Sequence, residues 1–145
     1  MELPEYVTIE EVKRVCRELK ISDWTALTEP KVRLEEARII MDQMNLGGMD
    51  IPVEDFCRGL EVEMEHGLRI KEANVTNNHP ILTGKIVLAH FKESLDYYQR
   101  LEVAELEGDL LKAVKAQNWP KVGRLYKELA EARLELSQVE TRLLG

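Results

Sequence analysis

The stretch WPKVGRLYKELAEARLELSQVETRLL, residues 119–144, decides the fold class. Within it Val122, Leu125, Leu129, Ala132, Leu136, Val139 and Leu143 follow one another at alternating steps of three and four, without a fault over three heptads. Because an α-helix turns once every 3.6 residues, this spacing gathers the apolar side chains into one narrow seam, the pattern of a coiled coil. Asn118 supplies an N-cap, and Pro120 sits where the first turn leaves its missing N–H without consequence.

Working upstream, Ile81, Gly84, Leu88, Phe91, Leu95 and Tyr98 are spaced 3, 4, 3, 4 and 3, and Val103, Leu106, Leu110 and Ala113 resume the spacing in a shifted phase. The reading is one helix from Pro80 to about Gln117, roughly 55 Å long at 1.5 Å per residue, with Gly108 as a point where it can bend. The short break at Asn118, Trp119 and Pro120 makes an antiparallel hairpin the simplest connection between two long helices.

The N-terminal part reads as shorter helices. Thr8-Ile9-Glu10-Glu11 has the form of a capping box and is followed by Val12, Cys16 and Leu19 on one face. A second helix is expected after Pro30, with Leu34, Ala37, Met41 and Met44 on one stripe and a stop at Gly47-Gly48. A third starts near Val53, carries Phe56, Leu60 and Met64, and is expected to end at His66-Gly67 with a left-handed cap glycine. Residues 68–79 read as one polar, aperiodic loop, closed by Asn77-Asn78-His79-Pro80 as a helix start. The expected fold is all-α: a compact helical bundle over 1–101, then a long antiparallel helical hairpin with coiled-coil heptads over 102–145.

Composition narrows the function classes. A net charge of -7 opposes general nucleic-acid binding, since phosphate contact needs clustered Lys and Arg. Nowhere do about 18 apolar residues run together, and Met1, Glu2, Pro4 and Glu5 do not open a signal peptide, so the expectation is a cytoplasmic chain with no membrane partner. Cys16 and Cys57 each stand among apolar residues at helical spacing and read as small core residues; two such separated thiols make neither a disulfide framework nor a metal knuckle.

One constellation points to chemistry. Glu63 and His66 are three apart, the Glu-x-x-His spacing with which ferritin-like bundles hold iron or manganese, and His90 and Glu93 repeat it in reverse order. On antiparallel helices the two pairs would lie side by side and offer two imidazoles and two carboxylates to one divalent transition metal, iron, manganese or zinc. The bland alternative has His66 bonding late carbonyls at a helix end and His90 as a half-buried, satisfied ring. His79, in the turn, reads as a surface residue, and Tyr97, Tyr98 and Trp119 as packing residues. Thr83-Gly84-Lys85 lacks the upstream glycine and strand of a phosphate loop, Asn74-Val75-Thr76 is a glycosylation acceptor only in a secreted chain, and Ser22, Ser94 and Ser137 have no nucleophile elbow.

Between Phe56 and Leu101 the runs Gly59-Leu60-Glu61-Val62-Glu63-Met64-Glu65-His66-Gly67, Asn74-Val75-Thr76-Asn77, Thr83-Gly84-Lys85-Ile86, Ala89-His90-Phe91-Lys92-Glu93 and Asp96-Tyr97-Tyr98 resemble a family of small microbial proteins of unknown function. The resemblance implies that Glu63, Glu65, His66, His90, Glu93, Asp96 and Tyr97 fall at motif positions, and it implies no activity. The functional expectation is a non-enzymatic structural or interaction protein, forming a homo-oligomer or binding another protein through Val122, Leu125, Leu129, Leu136, Val139 and Leu143. Alternatives are the metal-binding protein just described and a structural component of a phage or prophage.

Overall fold

In a computed structural model describing residue 1 and residues 3–145, the chain is all-helical, and no strand occurs among the described residues. Glu2, part of the polar opening read above, lies outside the described residues. Among the described residues six α-helices follow in order: α1 (Ile9–Leu19), α2 (Leu34–Met41), α3 (Val53–Arg69), α4 (Pro80–Glu93), α5 (Tyr97–Lys115) and α6 (Trp119–Leu144). Short 3₁₀ turns at Trp24–Ala26 and Lys71–Ala73 complete the list. Among the described residues no helix is long and apolar enough to cross a membrane. The chain divides into two compact units, Met1–Lys92 and Glu93–Gly145.

In the first unit α1 starts as its capping signal predicts, with the Glu11 N–H donating to Thr8 Oγ1 at 3.2 Å. The reciprocal half of the box is diverted, because the Glu11 carboxylate takes the Arg14 guanidinium at 2.7 and 2.8 Å. The helix stops at Lys20, whose φ of 57° turns the chain left-handed. Val12, Trp24, Ala37, Ile40, Phe56, Leu60, Met64 and Val87 are fully buried and form the core. Helix α4 enters it closely at Gly84, where a Cβ would stand 2.9 Å from Ile40 Cγ2 and 3.2 Å from Met44 Cε. Gly84 is therefore a packing residue on a helix without a phosphate loop.

Three expectations about this unit are corrected. Helix α2 ends at Met41, with residues 42–44 in turn, and buries Glu36, Ala37 and Ile40 while Leu34 is exposed. Its inner face is shifted from the predicted stripe because a carboxylate, which pattern reading assigns to solvent, is taken inside and satisfied there. Helix α3 continues past His66-Gly67 to Arg69, so Gly67 is no left-handed cap. Its missing side chain makes room instead: a Cβ would collide with Asn78 Oδ1 and lie 2.8 Å from Asn74 Nδ2. The segment after it is pinned in place, with a 3₁₀ turn at Lys71–Ala73.

The predicted long helix from Pro80 to Gln117 is two helices. At residues 94–96 the ladder is interrupted, because the Ser94 hydroxyl donates to the Asp96 carboxylate and the Tyr97 N–H to the Ser94 carbonyl. Short polar side chains compete in this way with the helical backbone for its own partners. Helix α5 then passes through Gly108 without a break.

In the second unit α5 and α6 lie against each other. Arg100 reaches Glu140 at 2.6 Å and Arg133 reaches Glu107 at 2.8 Å, so α6 runs back along α5. Gln117, at φ 52°, makes the reversal, and Asn118 Oδ1 accepts from the Lys121 N–H at 3.2 Å as the expected cap. Leu125, Leu129, Ala132 and Val139 are buried, Val122 and Leu136 half-buried.

Candidate functional site

Of the four residues proposed from spacing, two meet. His90 Nε2 on α4 stands 3.3 Å from Glu63 Oε1 on α3, and both side chains are largely covered, at 25% and 16% exposure. His66 is exposed in the last turn of α3, and Glu93 is exposed at the end of α4. Among the described residues no three His, Cys, Asp or Glu side chains gather in a way that could hold a metal ion. A carboxylate and an imidazole at this separation can share a proton or grip a cation from one side, and a firm site for a transition ion takes more donors than two.

His79 is where the structure departs most from the sequence reading. It is buried, not on the surface, and its ring Nδ1 accepts from the Ile81 and Leu82 N–H groups at 3.2 and 3.4 Å. The imidazole thus caps α4, a task expected of the asparagines before it. An acceptor nitrogen must be unprotonated, and burial pushes the His79 pKa below its ordinary value, which favours that form. Asn77 and Asn78 precede it in the left-handed region, at φ 48° and 56°. Asn77 Nδ2 donates to the Val7 carbonyl and to Glu5, each at 2.6 Å, and Asn74 Nδ2 donates to the Gly67 carbonyl at 3.2 Å and to Asn78 Oδ1 at 3.3 Å. The Asn-Val-Thr-Asn run is therefore a clasp between the end of α3, the start of α4 and the N-terminal segment.

Sequence reasoning missed Glu36. Its carboxylate is buried and accepts from the Ser22 N–H at 2.7 Å, the Ser22 hydroxyl at 3.1 Å, Trp24 Nε1 at 3.5 Å and Arg33 Nε at 3.2 Å. Burial alone would raise its pKa, but these hydrogen bonds outweigh it and hold the group below the ordinary glutamate value. No clue in the sequence marked it, because acids are common in a first helical turn and the apolar stripe of Leu34, Ala37, Met41 and Met44 left it outside. The two thiols behave as the sequence suggested: both are buried, and burial raises Cys16 and lifts Cys57 to about 11, far from a reactive thiolate.

Two surface features mark the second unit. At one end, Arg100 bridges Asp96, at 2.7 Å, and Glu140 beside Leu143 and Leu144, in a cleft of about 400 Å³. Burial would raise the Asp96 pKa, yet the Arg100 and Ser94 hydrogen bonds keep it below the usual aspartate value. Nearer the turn, Leu110, Leu111, Val114 and Tyr126 line an open groove of about 340 Å³, bounded by the Glu107–Arg133 pair. Leu111 and Tyr126 are 62% and 63% exposed there. Trp119, read as a packing residue, is also 62% exposed. Of the residues proposed as an interface, Leu125, Leu129 and Val139 are covered within the chain itself, and Leu143 is exposed.

No curated protein and no solved structure matches the chain. One family model does, over residues 12–107, which spans α1 from Val12 through α4 and the first half of α5 and leaves α6 outside. The chain belongs to the family described as protein of unknown function DUF5661.

Proposed function

We propose that this is a non-enzymatic structural or interaction protein whose second unit is an antiparallel helical hairpin with a coiled-coil seam, and that copies of the chain associate through the hairpin's outer surface. The observation that carries the reading is the groove between α5 and α6. Large apolar side chains from both helices stand open to solvent there, next to the buried Leu125, Leu129 and Ala132. A pair of helices buries one stripe of each and is marginal in water until a further layer covers more. Val122, Leu125, Leu129, Leu136 and Val139 support the reading by fixing the two helices in one register, so that the exposed face has a defined shape. A phage or prophage structural part would use such a hairpin in the same way. Light scattering coupled to size exclusion tests this: the expected mass is a multiple of 16.7 kDa, and a single-chain mass at every concentration would sink the reading.

A second reading has a narrower support, the approach of His90 to Glu63. In it one divalent transition ion binds at that pair, with His66 and Glu93 recruited from the surface. Elemental analysis of protein purified without an affinity tag, compared with His90→Ala, tests it: an equal and negligible metal content in both would leave the pair as a purely structural contact.

A further inference from the structure

The turn between α5 and α6 is basic in a chain whose net charge is -7. Residues 110–127 carry Lys112, Lys115, Lys121, Arg124 and Lys127, and all 27 acidic residues lie outside this stretch. Lys115 is the last residue of α5 and Lys121 the third of α6, so both stand within one helical turn of the reversal. Neither makes an ion pair among the described residues. Lys112 and Arg124, one turn farther back, pair with Asp109 at 2.9 Å and with Glu128 at 3.7 Å. These nearest acids stand six residues before the end of α5 and nine after the start of α6, roughly 9 and 14 Å behind the turn at 1.5 Å per residue. At physiological salt a charge is screened over about 8 Å. A surface laid on the turn therefore meets the two lysines ahead of the acids.

The same turn is bare. Every residue from 114 to 120 is exposed, and Trp119 shows 62% of its surface to solvent. Side chains on a helix tilt toward its N-terminus, so those in the first turn of α6 lean out over the reversal. An indole has an apolar body and a polar N–H, the combination that settles at the level of lipid headgroups, and lysine stems can lie beside it while their charges stay in water. A nucleic-acid strand would meet the lysines and could stack one base on Trp119, but such strands are held along a basic groove several nucleotides long, and this turn is a point. A bilayer needs no groove. It receives the tip of a helix pair at one place, with the indole among the headgroups and the lysines on its negative charge.

We infer that the turn between α5 and α6 docks on an anionic phospholipid surface, with Trp119 entering the headgroup layer and Lys115 and Lys121 resting on the lipid charges. The contact is peripheral and asks for no spanning helix. It goes beyond the self-association proposed above and uses the turn rather than the groove, so neither outcome decides the other. The test is cosedimentation of the full chain with vesicles of phosphatidylcholine alone and of phosphatidylcholine and phosphatidylserine in equal parts, with tryptophan emission recorded on the same mixtures. The other tryptophan, Trp24, is buried at 1% exposure, so a shift on binding reports Trp119. The expected result is binding to the mixed vesicles alone, with a blue shift of emission. Lys115→Gln with Lys121→Gln should weaken that binding about tenfold or more, and added salt should weaken it in the wild type. Trp119→Ala should abolish the shift and lower the affinity. No binding to the mixed vesicles, equal binding to both kinds, binding without a shift, or binding indifferent to the lysines would each overturn the inference. A single-stranded oligonucleotide is the last arm, and lysine-dependent binding to it with none to vesicles would assign the turn to nucleic acid instead. Circular dichroism checks the fold of each variant. Should the double variant lose helicity, Lys115→Gln alone, at an exposed position, decides by the same loss of binding on a smaller scale.

Discussion

Around the apolar core of the first unit, polar side chains tie its loops to its helices, whereas in the second unit the buried residues of α6 are the spaced apolar ones, Leu125, Leu129, Ala132 and Val139, with the charges on the outside. Glu36, Asn74, Asn77, Asn78 and His79 each tie a connecting segment to a helix end or to another segment, and each bond depends on one atom in one place. In α6, by contrast, the seam repeats, and the cross-helix pairs Arg100–Glu140 and Arg133–Glu107 lie on its exposed flank. A surface ion pair contributes about 1 kcal/mol or less, so those pairs orient the helices more than they stabilise them. The lesson is that single substitutions should fall hard on the first unit and lightly on the surface of the second.

Glu36→Ala gives the largest expected difference. It leaves the Ser22 N–H and the buried Trp24 indole without their acceptor, and removal of one partner from a buried charged cluster destabilises by about 3 kcal/mol or more. Urea unfolding followed by tryptophan fluorescence measures this, and a loss under about 1 kcal/mol would show that the loop at 20–33 hardly depends on it. Gly67→Ala comes next, at about 2–3 kcal/mol, because the new methyl must displace the Asn78 side chain from the clasp. Its counterparts in the second unit are Gly108 and Gly123, both helical and with no atom within 4 Å of an added Cβ.

Acid should separate the units as well. The His79 pKa is depressed in the folded chain, so its contribution is complete above the unfolded value near 6.5 and is lost as pH falls through the lower folded value. A melting temperature that declines between pH 7 and pH 5, with His79→Asn flattening the slope, is the expected result; asparagine caps a helix without titrating in that range. An unchanged slope in the variant would remove His79 as the cause. Glu36 and Asp96 also have depressed folded values, which makes their contributions present above about pH 4 and lost at lower pH. The smallest effect is a gain: Gly108→Ala and Gly123→Ala should each stabilise by about 0.5–1 kcal/mol, read as a small rise in melting temperature. Destabilisation by either would break the contrast between the two units.

Legibility followed the same division. The start of α6, its cap and the burial of Leu125, Leu129, Ala132 and Val139 could be read because a repeated 3–4 spacing constrains many residues at once, as could the thiols and the core position of Phe56, Leu60 and Met64. The interruption at residues 94–96 was hidden, since Leu95 keeps the apolar rhythm while Ser94 and Asp96 take backbone partners that no periodicity reveals. Gly67 looked like a helix end because glycine is permissive, and the structure uses its smallness instead. His79 and Glu36 stood among polar neighbours and gave no sign of burial. At the candidate site, spacing found Glu63 and His90, and it could not tell that His66 and Glu93 face solvent.

The pairings across α5 and α6 also form a ruler. Arg100 faces Glu140 and Arg133 faces Glu107, each a step of seven residues along both helices, and one more step brings Val114 and Tyr126 together in the groove. One residue added to α5 alone would turn every later side chain by about 100° and part all the pairs beyond it. Only insertions or deletions of a whole heptad, made in both helices at facing points, keep the ladder in step. The α5–α6 pair can therefore change length only in matched blocks of seven residues, one block in each helix.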